Sequence, residues 1–242
     1  AARDNALARL AHAPIHKLAA MLDDRTRPWF ERDAALAHIT DKLRSAAAAA
    51  ADSAAAPTAQ LDVRALAPAL AAQLPDLRSR VAKSACDALL ALSAVAGEQQ
   101  ALERPMRELV LPALLELSGN GNPVLAGAAH HTLPLLFGEC HFGPLVRVAL
   151  AALQGSRSAT VRRDSAPCLL VAVRRWPLAR LAPHAPRLGE GLLRAVADAA
   201  TEVRTSARSA LAAFCAAFPE RADDVAAELD ASSRRLLEEE MA

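Results

Sequence analysis

Tyrosine is absent from this sequence, and Phe and Trp together make up only 3% of its residues. Single-stranded nucleic acid is held largely by stacking on such rings, so their scarcity argues against that role. Charge gives no help to a polyanion binder either. With 28 basic and 27 acidic residues the net charge is +1, too little to draw the whole chain to nucleic acid or anionic lipid. Glycine is scarce at 9 and β-branched residues are few, which disfavours strands. No apolar run is long enough to cross a bilayer, and neither a signal peptide nor a lipidation box is present, so no membrane partner is expected. The sequence also lacks a Gly-x-Ser-x-Gly elbow, a P-loop and a dinucleotide fingerprint. Gly119-Asn120-Gly121 is a turn signal without a phosphate-binding context. Catalysis and cofactors are therefore not expected.

Two further absences bear on chemistry. His130, His131, Cys140 and His141 lie close in sequence, but their spacing fits no zinc pattern, and adjacent residues on a helix diverge by about 100°. No metal site is expected. Cys86, Cys140, Cys168 and Cys215 each fall within an apolar helical pattern, which suits reduced core residues in the cytosol better than a disulfide framework. The chain begins without Met, which points to a piece of a longer protein.

What the sequence does have is alanine and leucine in abundance, within a 53% hydrophobic chain of 242 residues. That composition predicts an all-α fold with a large core. A leading helical extension occupies 1–17 and is broken by Pro14. Helix pairs follow: one ending in Trp29–Leu43, then Leu61–Gln73 with Arg78–Ala96, Pro105–Leu117 with Pro123–Cys140, Phe142–Leu153 with Thr160–Trp176, Pro186–Ala197 with Thr201–Phe218, and Arg221–Leu229 with Ser232–Glu239. An alanine-rich insertion covers 45–60.

The pairs are in register. With the first inward Val of each second helix as the marker, Val81, Val124, Val161 and Val203 fall 43, 37 and 42 residues apart, and Glu31 takes the same place 50 residues upstream of Val81. Two helices per period of about 40 residues is the pattern of HEAT repeats. Val161-Arg162 and Val203-Arg204 strengthen it, with Asp198 five residues before Val203. Each pair has an apolar face too narrow to stand alone and buries it by stacking on the next. The expectation is one domain over 1–242, an α-solenoid of six pairs forming a flat paddle with the intra-repeat turns in a row.

Those turns are basic. They and the helix starts after them carry Arg25, Arg27, Arg78, Arg80, Lys83, Arg157, Arg162, Arg163, Arg204 and Arg208, while the third turn offers Asn120 and Asn122 instead. A helix N-terminus is already the positive end of its dipole, so cations there are expected to serve something other than helix stability. Arg162 and Arg204 sit where a structural salt link between repeats is expected. Trp29 follows Pro28 at a helix start and is expected to face outward as an apolar anchor. Trp176 is expected to pack.

The run Trp29-Phe-Glu-Arg32-Asp-Ala-Ala35-Leu36 resembles the opening repeat of TOG domains, the tubulin-binding HEAT paddles. Asp76-Leu-Arg-Ser-Arg-Val-Ala-Lys-Ser-Ala-Cys86 looks like the second repeat of their CLASP branch, and Ser158–Arg163, Leu169–Trp176 and Asp198–Arg208 are further echoes, from about residue 18 to the C-terminus. The insertion after the first repeat departs from the family. The resemblance implies contact with the αβ-tubulin heterodimer or microtubule ends through the intra-repeat loops. On that basis Trp29, Arg78, Lys83, Asn122, Arg157, Arg163, Arg204 and Arg208 are the expected contacts. It further implies a monomeric module of a multi-domain protein at cytoplasmic microtubules, or at cilia as in crescerin-type relatives. The alternative is a structural HEAT module that docks a different regulatory or ciliary protein.

Overall fold

The computed structural model describes residues 1–52 and 62–241, which are helices and turns without a strand. They form two compact units, 1–132 and 133–242, and the boundary falls inside one helix.

In the first unit, α1 (Ala2–Leu10) leads into α2 (Ile15–Asp23) and α3 (Trp29–Asp52). The next pair is α4 (Val63–Ala71) with α5 (Ser79–Ala96). Then come α6 (Gln100–Pro105), a π-helical turn (Met106–Val110), α7 (Leu111–Ser118) and the start of α8 (Pro123–Glu139). First helices lie against first helices and second against second, α2 on α4 and α3 on α5. The reason is visible in the burial pattern. Leu18 and Leu22 of α2, Leu36, Ile39 and Leu43 of α3, and Leu66 and Leu70 of α4 recur at helical spacing and are all buried. A polar network joins the same two pairs: Arg32 donates to Gln73 Oε1 at 2.6 Å and to Asp76 Oδ2 at 2.7 Å, and Gln73 Nε2 donates to the Leu22 carbonyl at 2.8 Å.

The second unit holds the rest of α8, then α9 (Gly143–Gly155) with α10 (Ala159–Arg175), and α11 (Leu178–Leu181) with α12 (Ala185–Ala195) and α13 (Thr201–Ala217). It closes with α14 (Ala222–Glu228) and α15 (Ala231–Met241). The stacking rule repeats, with α9 on α12 and α10 on α13. Phe137, Leu145, Leu169, Leu192, Leu211 and Phe214 fill the core between them. Trp176 packs as expected: it is buried, stacks on Phe137 with ring centroids 5.7 Å apart, and donates its indole N–H to the Phe137 carbonyl at 2.6 Å.

Some sequence expectations need correction. The helix expected from Pro105 begins at Gln100, because a proline favoured at a helix start instead ends α6 here. The π turn lies between Pro105 and Pro112, each of which lacks an amide donor and so disturbs the ordinary ladder. The alanine-rich stretch is divided: 45–52 continues α3, and 53–61 lies outside the described residues. All four cysteines are buried and outside any disulfide; burial pushes the Cys86 thiol up to about 11 and raises Cys168 and Cys215 as well.

Candidate partner interface

The turns within the first five helix pairs are built by the same bond. In the first unit, Asp24 Oδ1 accepts the Thr26 amide at 3.0 Å, Asp76 Oδ1 the Arg78 amide at 2.8 Å, and Asn120 Oδ1 the Asn122 amide at 2.8 Å. In the second, Ser156 Oγ accepts the Ser158 amide at 3.2 Å and Asp198 Oδ1 the Ala200 amide at 2.8 Å. A short polar side chain that bonds the backbone two residues on imitates a backbone turn and frees the chain to start a new helix. These amides, with the Thr26 hydroxyl on Asp24, Arg162 on Asp198, and Arg32 on Asp76 against its burial, hold all three carboxyls below the usual carboxylate range.

This bond gives a better register than the valines do. Counting five from each capping residue aligns Trp29, Val81, Leu125, Val161 and Val203, so Trp29 rather than Glu31 takes the first place and Val124 is not the inward residue of α8. Val124 is 51% exposed and its neighbour Leu125 is buried. Residue type misled the marker because the core slot was filled by a leucine one position on.

Five of the nine arginines at these positions, Arg25, Arg27, Arg80, Arg162 and Arg204, are engaged within a turn or across to a neighbouring helix. Arg162 grips Asp198 with two bonds, Nε to Oδ2 at 2.7 Å and Nη2 to Oδ1 at 2.9 Å, and caps the carbonyls of Ser156 and Arg157. Arg204 caps the carbonyls of Asp198 and Ala199 in the same way and also donates to Thr201 Oγ1. Arg80 bonds Asp33, Arg27 pairs with Glu31, and Arg25 caps the Ala72 carbonyl. The local dipole penalty is thus offset by carbonyls and carboxylates within reach.

The expected contact residues divide accordingly. Arg78, Lys83 and Arg157 are exposed. Arg163 is partly engaged, Nε to Asp164 Oδ1 at 2.7 Å, and Arg208 is half-buried. Asn122 is exposed, but its Oδ1 caps α8 by accepting the Val124 amide at 2.9 Å. Arg204 is bound to its own turn. Among the described residues no three His, Cys, Asp or Glu side chains cluster to hold a metal ion, and no helix is long and apolar enough to cross a membrane.

Trp29 is the first residue of α3 and half-buried, its ring edge-to-face with Phe30 at 6.1 Å and 84°. Part of the indole is open to solvent. A second apolar side chain was missed in the sequence: Leu77, at the tip of the next turn, is 92% exposed. It lies between Asp76, whose carboxylate is locked by Arg32, and Arg78. A leucine following a turn-capping Asp, where the other turns place Arg25, Gly121, Arg157 and Ala199, was the available signal. The Arg32 network and the Arg25 to Ala72 bond link the first two helix pairs, whose turns carry Trp29 and Leu77.

Residues 15–238 match the family model described as CLASP N terminal. The chain belongs to this family. A CLASP relative, CLIP-associating protein 1-B of Xenopus laevis, is 27% identical over 229 residues, which is 93% of this chain but only 15% of the relative. The fold also matches solved structures. One, from work on tubulin recruitment and assembly by microtubule polymerases with TOG domain arrays, has a TM-score of 0.70 at 17% identity, over 92% of this chain and 45% of that one. Another, from a crescerin whose TOG domain array regulates microtubules in the primary cilium, has a TM-score of 0.62 at 17% identity, over 93% of this chain and 88% of that one. At these identities the structural matches show the fold, that of a helical-repeat TOG domain, and the family match carries the identification.

Proposed function

We propose that this CLASP-family chain acts as one module that binds the αβ-tubulin heterodimer through the turns joining the helices of each pair, and so biases microtubule assembly. The observation that carries this reading is the pair of apolar side chains at adjacent turns, partly exposed Trp29 and exposed Leu77, with exposed Arg78 next to Leu77 in the chain and exposed Lys83 on the helix that follows. A soluble domain gains nothing in stability from a leucine held in water at a rigid turn. Exposed aromatic and aliphatic anchors ringed by polar groups are the usual centre of a protein contact. Arg78, Lys83, Arg157 and the open edges of Arg163 and Arg208 meet acidic tubulin surface and speed encounter, while Arg204 and Asn122 act by shaping the turns that present them.

The module carries out no chemistry and needs no cofactor or metal. It acts as a monomer, and its influence on assembly is limited to the difference in its affinity for two tubulin conformations. The relatives are far longer than this chain, and further modules in such proteins supply avidity at cytoplasmic or ciliary microtubules.

Gel filtration with purified tubulin tests the reading. The chain should comigrate with tubulin at micromolar concentration, and Trp29→Glu and Leu77→Asp should each abolish comigration, with Leu77→Asp leaving the circular-dichroism melt intact. Absence of comigration by the unmodified chain, or comigration that survives both substitutions together, overturns it.

A further inference from the structure

Helix α1 is held to the first unit by charge rather than by apolar packing. Of its nine residues only Ala6 is buried, whereas α2, of equal length, buries Leu18, Ala19 and Leu22. Arg3 Nε donates to Asp33 Oδ2 at 2.5 Å, Arg9 Nη2 donates to Glu31 Oε1 at 3.0 Å, and His38 Nε2 donates to the Leu7 carbonyl at 2.8 Å. Arg3, Ala6 and Arg9 are spaced three apart and fall on one stripe of the helix facing α3. Both acceptors of the arginines have a second donor on the body of the unit. Asp33 also accepts from Arg80 Nε at 2.8 Å and Ser84 Oγ at 2.6 Å, and Glu31 Oε2 accepts from Arg27 Nη1 at 3.1 Å. Breaking an ion pair is expensive when it strands a buried charge. Departure of α1 strands neither carboxylate, since Asp33 keeps two donors and Glu31 keeps one, and only Ala6 of α1 is fully buried.

We propose that the α3 face carrying Glu31, Asp33 and His38 is an exchangeable docking site for a short basic helix, which α1 fills in cis. The bound helix shows the chemistry the site selects: two arginines six residues apart, to pair Glu31 and Asp33, with a small residue midway for close approach. Ala11 to Pro14 tether α1, and so short a tether gives it a local concentration in the millimolar range or above, which excludes free competitors until α1 is weakened. Glu31 lies two residues from Trp29, so an occupant of this face adjoins the first turn without covering it. The site stands independently of tubulin binding.

The test uses the whole chain and, as probe, a fluorescein-labelled peptide of residues 1–12, followed by anisotropy at low salt. The double variant Arg3→Glu with Arg9→Glu changes exposed or half-exposed groups of α1 and releases it. This variant should bind the peptide at least about ten-fold more tightly than the unmodified chain does, and adding Glu31→Lys should reverse that gain by a similar factor. Hydrogen exchange on the unmodified chain gives a second measurement that needs no variant. At about 0.5 M salt, where exposed charges are screened, the amides of α1 should lose protection while those of α3 and α5 keep theirs. Equal peptide affinity for both chains, no binding to the double variant at millimolar peptide, or joint opening of α1 and α3 would make α1 a fixed part of the fold and overturn the proposal.

Discussion

Trp176 and Trp29 show how one residue type serves two ends. Trp176 is enclosed between Phe137 and His141 with its N–H satisfied, and Trp176→Ala should cost about 3–5 kcal/mol in chemical denaturation. Trp29 is half-open, so Trp29→Ala should cost clearly less stability yet weaken tubulin binding by about 2 kcal/mol or more, read by titration. The arginines separate in the same manner. Arg32 and Asp76 have side chains only 6% and 8% exposed, so Arg32→Ala leaves a buried carboxylate short of its cation and should cost about 3–5 kcal/mol. Exposed Arg157 should move stability by no more than about 0.5 kcal/mol when replaced by Ala, with its effect confined to binding. The sequence placed Trp29 at a helix start and Trp176 at a helix end, where the structure has them. It could not tell a gripped arginine from a free one, because the acceptor of Arg32 lies 44 residues away in the chain.

At the scale of the element, the recurring device is the capped turn rather than the helix it precedes. Apolar spacing made every helix pair legible to within a few residues, and the α2–α3, α4–α5, α9–α10 and α12–α13 pairs all form where the pattern puts them. The turn bonds were harder to see, since Asp, Asn and Ser all perform the same act and no single letter recurs. Asn120→Ala removes one such bond from its turn and should cost about 0.5–1.5 kcal/mol by thermal or chemical unfolding. Asp198→Ala removes the turn bond together with both Arg162 contacts, so its cost should be the larger of the two. The π turn before α7 was not legible, because a proline reads as a start signal whether or not a helix already runs into it.

For the whole molecule, near-neutral charge leaves local carboxylates to set the response to pH. Bonds to Ser84, Arg3 and Arg80 outweigh burial at Asp33, the Arg78 amide and Arg32 do so at Asp76, and Arg162 dominates at Asp198, so all three carboxyls are depressed in the folded state. Their contribution is complete above the unfolded value of about 3.9 and is lost as pH falls through the lower folded values. The melting temperature should therefore show no loss from these groups between about pH 7 and pH 5 and a fall below about pH 4, with a shallower fall in Asp198→Asn. Composition and period alone determined an all-helical repeat array, its pairing and its reduced cysteines, because helix propensity and the spacing of apolar residues are local properties that survive in a string of letters. Only the tertiary structure decided which cations face solvent, that Leu125 rather than Val124 turns inward, that Leu77 stands exposed, and that α1 rests on Glu31 and Asp33. The Arg32–Asp76 and Arg3–Asp33 bonds join residues 44 and 30 apart in the chain, and no local pattern encodes such a pairing.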